Sequence, residues 1–121
     1  MSDIDAKLMV IVDHKEQLIV PHSPYGMPLC AIPRGAEYKI YLCTSQNVPH
    51  GLYCSVIVKV DGTIVINDPA HTSMPKNSFV FVIQRKPADT FEDVSVTYSI
   101  FDKNHELLDA NTRVVRIAAT L

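Results

Sequence analysis

The segment VKVDGTIV, residues 58–65, places an Asp61-Gly62 pair between two runs of β-branched residues. This is the strongest short-range signal for a β-hairpin with a two-residue type I′ turn, in which both central residues have positive φ. A turn of this kind fixes the register of the two strands. The predicted pairs are Val60 with Thr63, Lys59 with Ile64, Val58 with Val65 and Ile57 with Ile66.

Both faces of this predicted hairpin carry aliphatic side chains. Val56, Val58, Val60 and Val65 share one face, and Ile57, Ile64 and Ile66 share the other. A sandwich of 121 residues has one interior between its sheets, so something other than that core has to cover one of the two sets. Another segment of the chain or a second subunit would do so. We therefore treat the three isoleucines as candidate interface residues.

Prolines divide the rest of the chain into short apolar runs. Proline lacks a backbone N–H and is excluded from central strands, so the eight prolines of the chain indicate short strands joined by loops. No window shows helical periodicity, and we expect almost no helix. The predicted strands are 6–12, 17–20, 29–32, 37–43, 52–60, 63–67, 79–85, 94–101 and 112–118, with a short rung at Leu107 and Leu108.

These strands predict a single domain over residues 1–121. We expect an all-β, two-layer antiparallel sandwich of immunoglobulin-like or jelly-roll type, with about eight or nine strands. The continuous apolar run FVFVI at 79–83 predicts a strand covered on both sides, which would lie with the Asp61-Gly62 hairpin at the centre of the fold. Two more hairpins are predicted, over 11–20 with His14 near the tip and over 100–108. In the latter, Asn104 or His105 would take the left-handed conformation.

Charge and the N-terminal sequence narrow the classes of partner. The formal net charge is −2, so we expect neither nucleic-acid nor membrane binding. Asp3 and Asp5 precede the first apolar run and Asp13 interrupts it, which fits neither a secretory signal nor a membrane span. We therefore expect a cytoplasmic protein, or one that is assembled into a virion.

No residue pattern predicts a catalytic, cofactor-binding or metal-binding site, and we expect a protein without enzymatic activity or cofactor. The three cysteines are odd in number and lack CxxC spacing, so buried or half-buried free thiols are expected. All five histidines fall in predicted loops or turns, and His71 with Asp68 is the nearest approach to a metal-ligand pair. Most carboxylates, including Glu92 and Asp93, are assigned to turns, where such side chains cap the backbone.

Two loops are long enough to carry recognition. The segment PHSPYGMP, residues 21–28, holds Tyr25 and Met27 between prolines, and residues 67–78 form the other predicted loop. A loop stiffened by proline loses less entropy on docking, so Tyr25 and Met27 join the candidate interface residues.

These observations favour a structural or assembly protein that self-associates or docks onto a larger particle, for example a virion decoration or accessory protein. Its partner would be a second copy of the chain or another protein. The alternative is a protein-binding module, an inhibitor or adaptor that uses the 21–28 loop. A metal-dependent enzyme using His71 and Asp68 comes third.

Overall fold

The computed structural model describes residues 6–21, 23–24, 26–44, 52–73, 79–88 and 90–119. These residues form nine strands, and they contain no helix that is long and apolar enough to cross a membrane. The strands are β1 (Ala6–Val12), β2 (Lys15–Glu16), β3 (Leu29–Ile32), β4 (Tyr38–Thr44), β5 (Tyr53–Val60), β6 (Thr63–Ser73), β7 (Phe79–Arg85), β8 (Phe91–Phe101) and β9 (Leu107–Ala119).

The strands form two sheets. One has the order β2-β1-β4-β7 and the other β3-β9-β8-β5-β6. Strands β1, β4 and β7 in one sheet and β5, β8 and β9 in the other repeat the A-B-E and C-F-G neighbours of an immunoglobulin-like sandwich. The predicted all-β sandwich is confirmed, and the strand order selects the immunoglobulin-like alternative. One pair differs from the antiparallel expectation, since β3 runs parallel to β9.

The core lies between the sheets and is mostly aliphatic. Alternate residues of β5 and β8 point inward. Val58 and Val96 are fully buried, while the residues that flank each of them along its own strand face out. Burial of each such side chain contributes about 1.5–3 kcal/mol. All three cysteines are buried with free thiols. Burial raises the pKa of the Cys30 thiol to about 11, which keeps it protonated and unreactive near neutral pH.

The Asp61-Gly62 turn joins β5 to β6 as predicted. Both central residues have positive φ, 50° and 84°. The Val60–Thr63 and Lys59–Ile64 pairs are present, so the prediction holds for the turn and for the first two rungs beyond it.

A β-bulge then changes the register. Beyond Lys59, the partner of Val58 is Ile66 instead of Val65, and Ile57 pairs with Asn67. The predicted Val58–Val65 and Ile57–Ile66 pairs are therefore wrong. The bulge inserts Val65 as an extra residue, which rotates Ile66 to the inward side of the sheet.

Strand β7 lies at the edge of the four-stranded sheet, so the expectation of a central strand at 79–83 is wrong. A bulge opposite the Ile40–Tyr41 step leaves Val82 as an extra residue. Val82 and Ile83 are consecutive and both buried, at 6% and 5% exposure. The bulge brings these two successive side chains towards the interior, which accounts for the apolar character of this part of an edge strand.

The two other predicted hairpins are present with altered strand lengths. Asp13 and His14 form the β1–β2 turn with φ of 52° and 64°, and His105 has a φ of 63° between β8 and β9. Residues 17–20 do not continue β2, and of these only Val20 forms a bridge, to Leu29 of β3.

Several strands extend beyond their predicted bounds, among them β9, which begins at Leu107 and takes in the predicted rung at Leu107 and Leu108. Strand β6 continues to Ser73, so Asp68 and His71 belong to a strand and not to a loop. Strand β8 begins at Phe91, so Glu92 and Asp93 also lie in a strand. Proline is tolerated in β6 at Pro69 because this strand is at the edge of its sheet.

Candidate docking surface

The outward side of the larger sheet forms one continuous surface, which we call the five-stranded face. It consists of the odd-numbered residues 53–59 of β5 and 91–101 of β8 and the even-numbered residues 110–118 of β9, because side chains alternate along each strand. Leu29 and Ala31 of β3 and Ile64 and Asn67 of β6 complete it at its two edges.

Charge is nearly absent from the described part of this face. Its charged residues are Lys59, Asp93 and Arg116. Arg116 donates from Nε and Nη2 to the two carboxylate oxygens of Asp93, at 2.7 and 3.0 Å, so these two charges neutralise each other. The Arg116 guanidinium also lies 4.1 Å from the centroid of the Phe91 ring, a cation–π geometry. Lys59 is the remaining charge.

Hydroxyl groups occupy the centre of the face. Ser95, Thr97 and Ser99 of β8 lie beside Thr112 of β9 and Ser55 of β5. The Oγ1 atoms of Thr97 and Thr112 are 3.0 Å apart and share a hydrogen bond. Because these side chains are short and each hydroxyl can donate or accept, another surface can approach the centre closely.

Apolar side chains surround this centre. Ile57, Ile64, Val114 and Phe91 have exposed fractions of 37%, 53%, 39% and 43%. The predicted interface residues Ile57 and Ile64 therefore lie together on the five-stranded face and remain accessible. Charge depletion and exposed aliphatic and aromatic groups are both features of protein–protein interfaces.

The other predicted interface residues lie elsewhere. Ile66 does not share this face, because it pairs with Val58 and packs against the core. Met27 is half-buried in the 21–28 loop, where its carbonyl accepts a hydrogen bond from the Ser23 hydroxyl. Tyr25 lies outside the described residues.

A second polar cluster links the two sheets through the core. The Tyr38 hydroxyl of β4 donates to a carboxylate oxygen of Glu92 in β8, and both residues are buried. Arg85 of β7 donates to the same carboxylate from Nε and Nη2, at 3.0 and 3.3 Å. Burial and the hydrogen bond to Glu92 raise the pKa of Tyr38, which stays a neutral donor. The carboxylate is engaged by both partners, so this cluster is a structural link.

Grooves follow the sides of the sandwich. A groove of about 370 Å³ runs between β1 and β9 and is lined by Leu8, Leu18 and Val114 among others. A smaller pocket of about 190 Å³ lies beside the β1–β2 turn, where Asp13, His14 and other polar residues line it.

The structure describes only some of the histidines. His14 and His105 are exposed in turns, and the His105 ring stacks on Tyr53 with the centroids 5.5 Å apart. His22 and His50 lie outside the described residues, and His71 is described only as part of the β6 backbone. Among the described side chains, no three His, Cys, Asp or Glu residues are grouped so that they could hold a metal ion.

Comparison with known proteins gives structural similarity without a sequence match. No protein-family model matches the chain, and no curated protein sequence does. The fold is similar to that of the CARDB domain of a Pyrococcus furiosus protein, solved in complex with di-metal ions. The two chains are 12% identical with a TM-score of 0.48, over 95% of this chain and 92% of that one. The fold assignment therefore rests on the strand order described above.

Proposed function

We propose that this protein is a non-enzymatic structural or assembly module that self-associates or docks onto a larger particle through the five-stranded face. The observation that supports this function is the near absence of charge on a continuous sheet surface where Ile57, Ile64 and Val114 are exposed. The outward side of an antiparallel sheet in water normally carries polar and charged residues. A structural or accessory component of a larger particle, such as a virion, is the concrete form of this proposal.

The dimensions of the face suit a protein partner. The five strands are spaced about 4.8 Å apart and range from 4 to 13 residues in length, which gives a surface on the order of 700 Å². A standard protein–protein interface uses about 800 Å² from each partner. The area is thus close to what one stable contact requires.

Position-specific photo-crosslinking tests the proposal whatever the partner is. A photo-reactive amino acid is placed at Thr97, in the centre of the face, and separately at Gln84, an exposed residue on the outward side of the other sheet. After irradiation of the cells that make the protein, position 97 should yield a discrete crosslinked protein and position 84 should not. Equal products from both positions, or none from position 97, would contradict the proposal.

A further inference from the structure

We infer that a second copy of this chain covers the five-stranded face, so that two such faces stack across a two-fold axis. This inference rests on the proposed function and names its partner. A surface that binds its own copy has to be complementary to itself. The five-stranded face meets this requirement in hydrogen bonding, in charge and in area.

Hydrogen bonding at the centre of the face is self-complementary. A two-fold axis brings identical groups towards each other, so carboxylates or ammonium groups near the axis would repel. Hydroxyls do not, because each is both donor and acceptor. Thr97 and Thr112 already share one such bond within the chain, and a second copy would present the same groups in return.

The charges of the face do not oppose stacking. Asp93 lies on β8 and therefore near its own copy in the partner, but its carboxylate is paired with Arg116 of the same chain, so this pair brings no net charge to the contact. Lys59 is exposed on β5, one strand away from the central β8. Its aliphatic stem can lie along an apolar contact while the ammonium extends to water at the rim.

The strand order and register decide which side chains of the two copies face each other. Strands β9 and β5 flank β8. A two-fold axis along β8 therefore stacks β9 of one copy on β5 of the other. This arrangement sets the partner's Val114 over the aliphatic stem of Lys59, because both residues pair with Ser95, and the partner's Thr112 over Ile57, because both pair with Thr97. The same contact occurs twice in the dimer.

The area agrees with a stable dimer. Two faces on the order of 700 Å² each would bury about 1,400 Å², and standard interfaces bury about 1,200–2,000 Å². No additional segment of the chain is required to reach this range.

Light scattering of the purified protein is the first test. We expect a mass of two chains at micromolar concentrations. Thr97→Lys sets two ammonium groups near the axis and should raise the dissociation constant by about tenfold or more. Gln84→Lys, an exposed substitution on the other sheet, should leave it unchanged. A monomeric wild type, or equal weakening by both substitutions, would overturn the inference.

Chemical crosslinking is the second test and does not depend on weakening the dimer. Every cysteine of the chain is buried, so Thr97→Cys introduces the one accessible thiol. A short bis-maleimide should link two Thr97→Cys chains and should not link two Gln84→Cys chains. The opposite pattern would place the contact on the other sheet and overturn the inference. Circular dichroism confirms that each variant is folded.

The two experiments separate this inference from the proposed function. If the purified chain is monomeric while the photo-reactive group at position 97 still captures a different protein in cells, the second copy is excluded and the docking face stands. If position 97 captures nothing and the chain is monomeric, both proposals fail.

Discussion

Glu92 and Asp93 are consecutive acids on β8 with opposite surroundings. Alternation along the strand turns Glu92 between the sheets, where its side chain is 3% exposed, and Asp93 onto the five-stranded face, where it is 34% exposed. Each carboxylate accepts two hydrogen bonds from one arginine. The chemistry of the two pairs is the same and their environment differs.

The surroundings of each ion pair decide how much it contributes to the free energy of unfolding. A charge inside the core has no water to replace a lost partner, so removal of that partner leaves an uncompensated buried charge. A charge on the surface is solvated and screened, and an exposed pair contributes about 0–1 kcal/mol. The inner pair therefore holds the sheets together, and the outer pair serves to keep the docking face neutral.

Removal of the inner arginine should have the largest effect. Arg85→Ala leaves Glu92 buried with only the Tyr38 hydroxyl as partner, and we expect the free energy of unfolding to fall by about 3 kcal/mol. Urea denaturation measures this loss. The matched substitution Arg116→Ala on the outer pair should lower it by less than about 1 kcal/mol. Equal losses would show that burial does not distinguish the two pairs.

Removal of the tyrosine hydroxyl should have a smaller effect. Tyr38→Phe takes one donor from the buried carboxylate and leaves the two hydrogen bonds from Arg85 in place. We expect a loss of about 1–2 kcal/mol in the free energy of unfolding, the usual range for a buried acceptor that loses a neutral partner. A loss larger than that of Arg85→Ala would mean that the hydroxyl, and not the guanidinium, is the main partner of Glu92.

The same hydroxyl predicts a pH dependence. The pKa of Tyr38 is raised in the folded state by burial and by its hydrogen bond to Glu92, so the folded chain binds the phenolic proton more tightly than the unfolded chain. Its contribution to stability is complete below the ordinary tyrosine pKa of about 10 and is lost as the pH rises above it.

Denaturation between pH 9 and pH 11 tests this prediction, because these values bracket the ordinary tyrosine pKa of about 10. The difference in stability between the wild type and Tyr38→Phe should shrink as the pH rises. Tyr53→Phe, a substitution on the five-stranded face, serves as the control. A difference that is constant across this range would argue against a proton held at Tyr38.

Substitution of the outer acid should have the smallest effect on stability. Asp93→Asn should change the free energy of unfolding by less than about 1 kcal/mol, because water can solvate both partners. It removes the negative charge that Asp93 sets beside Arg116 and makes the face more positive, so dimerisation should weaken while the fold stays intact. Light scattering and urea denaturation of one preparation distinguish the two effects. A stability loss equal to that of Arg85→Ala would contradict the comparison.

Part of the docking face follows from sequence alone. The Asp61-Gly62 turn and the alternation in β5 place Ile57 and Ile64 on the same side of the hairpin, opposite the valines, without knowledge of any other strand. The neutral character of the face does not follow from sequence, because it depends on which strands are neighbours. Asp93 and Arg116 are far apart in the chain and meet only because β8 pairs with β9.

The sequence by itself determined the all-β class, the three hairpin turns and most of the inward residues, because turn chemistry and the two-residue repeat of a strand act over a few residues. The tertiary structure alone decided the bulges at Val65 and Val82, which depend on how each strand fits its neighbour. It also decided the burial of Glu92. The Glu92 carboxylate lies in the core, where it accepts hydrogen bonds from Arg85 and from the hydroxyl of Tyr38, 54 residues away. Contacts at that distance leave no local pattern in the chain.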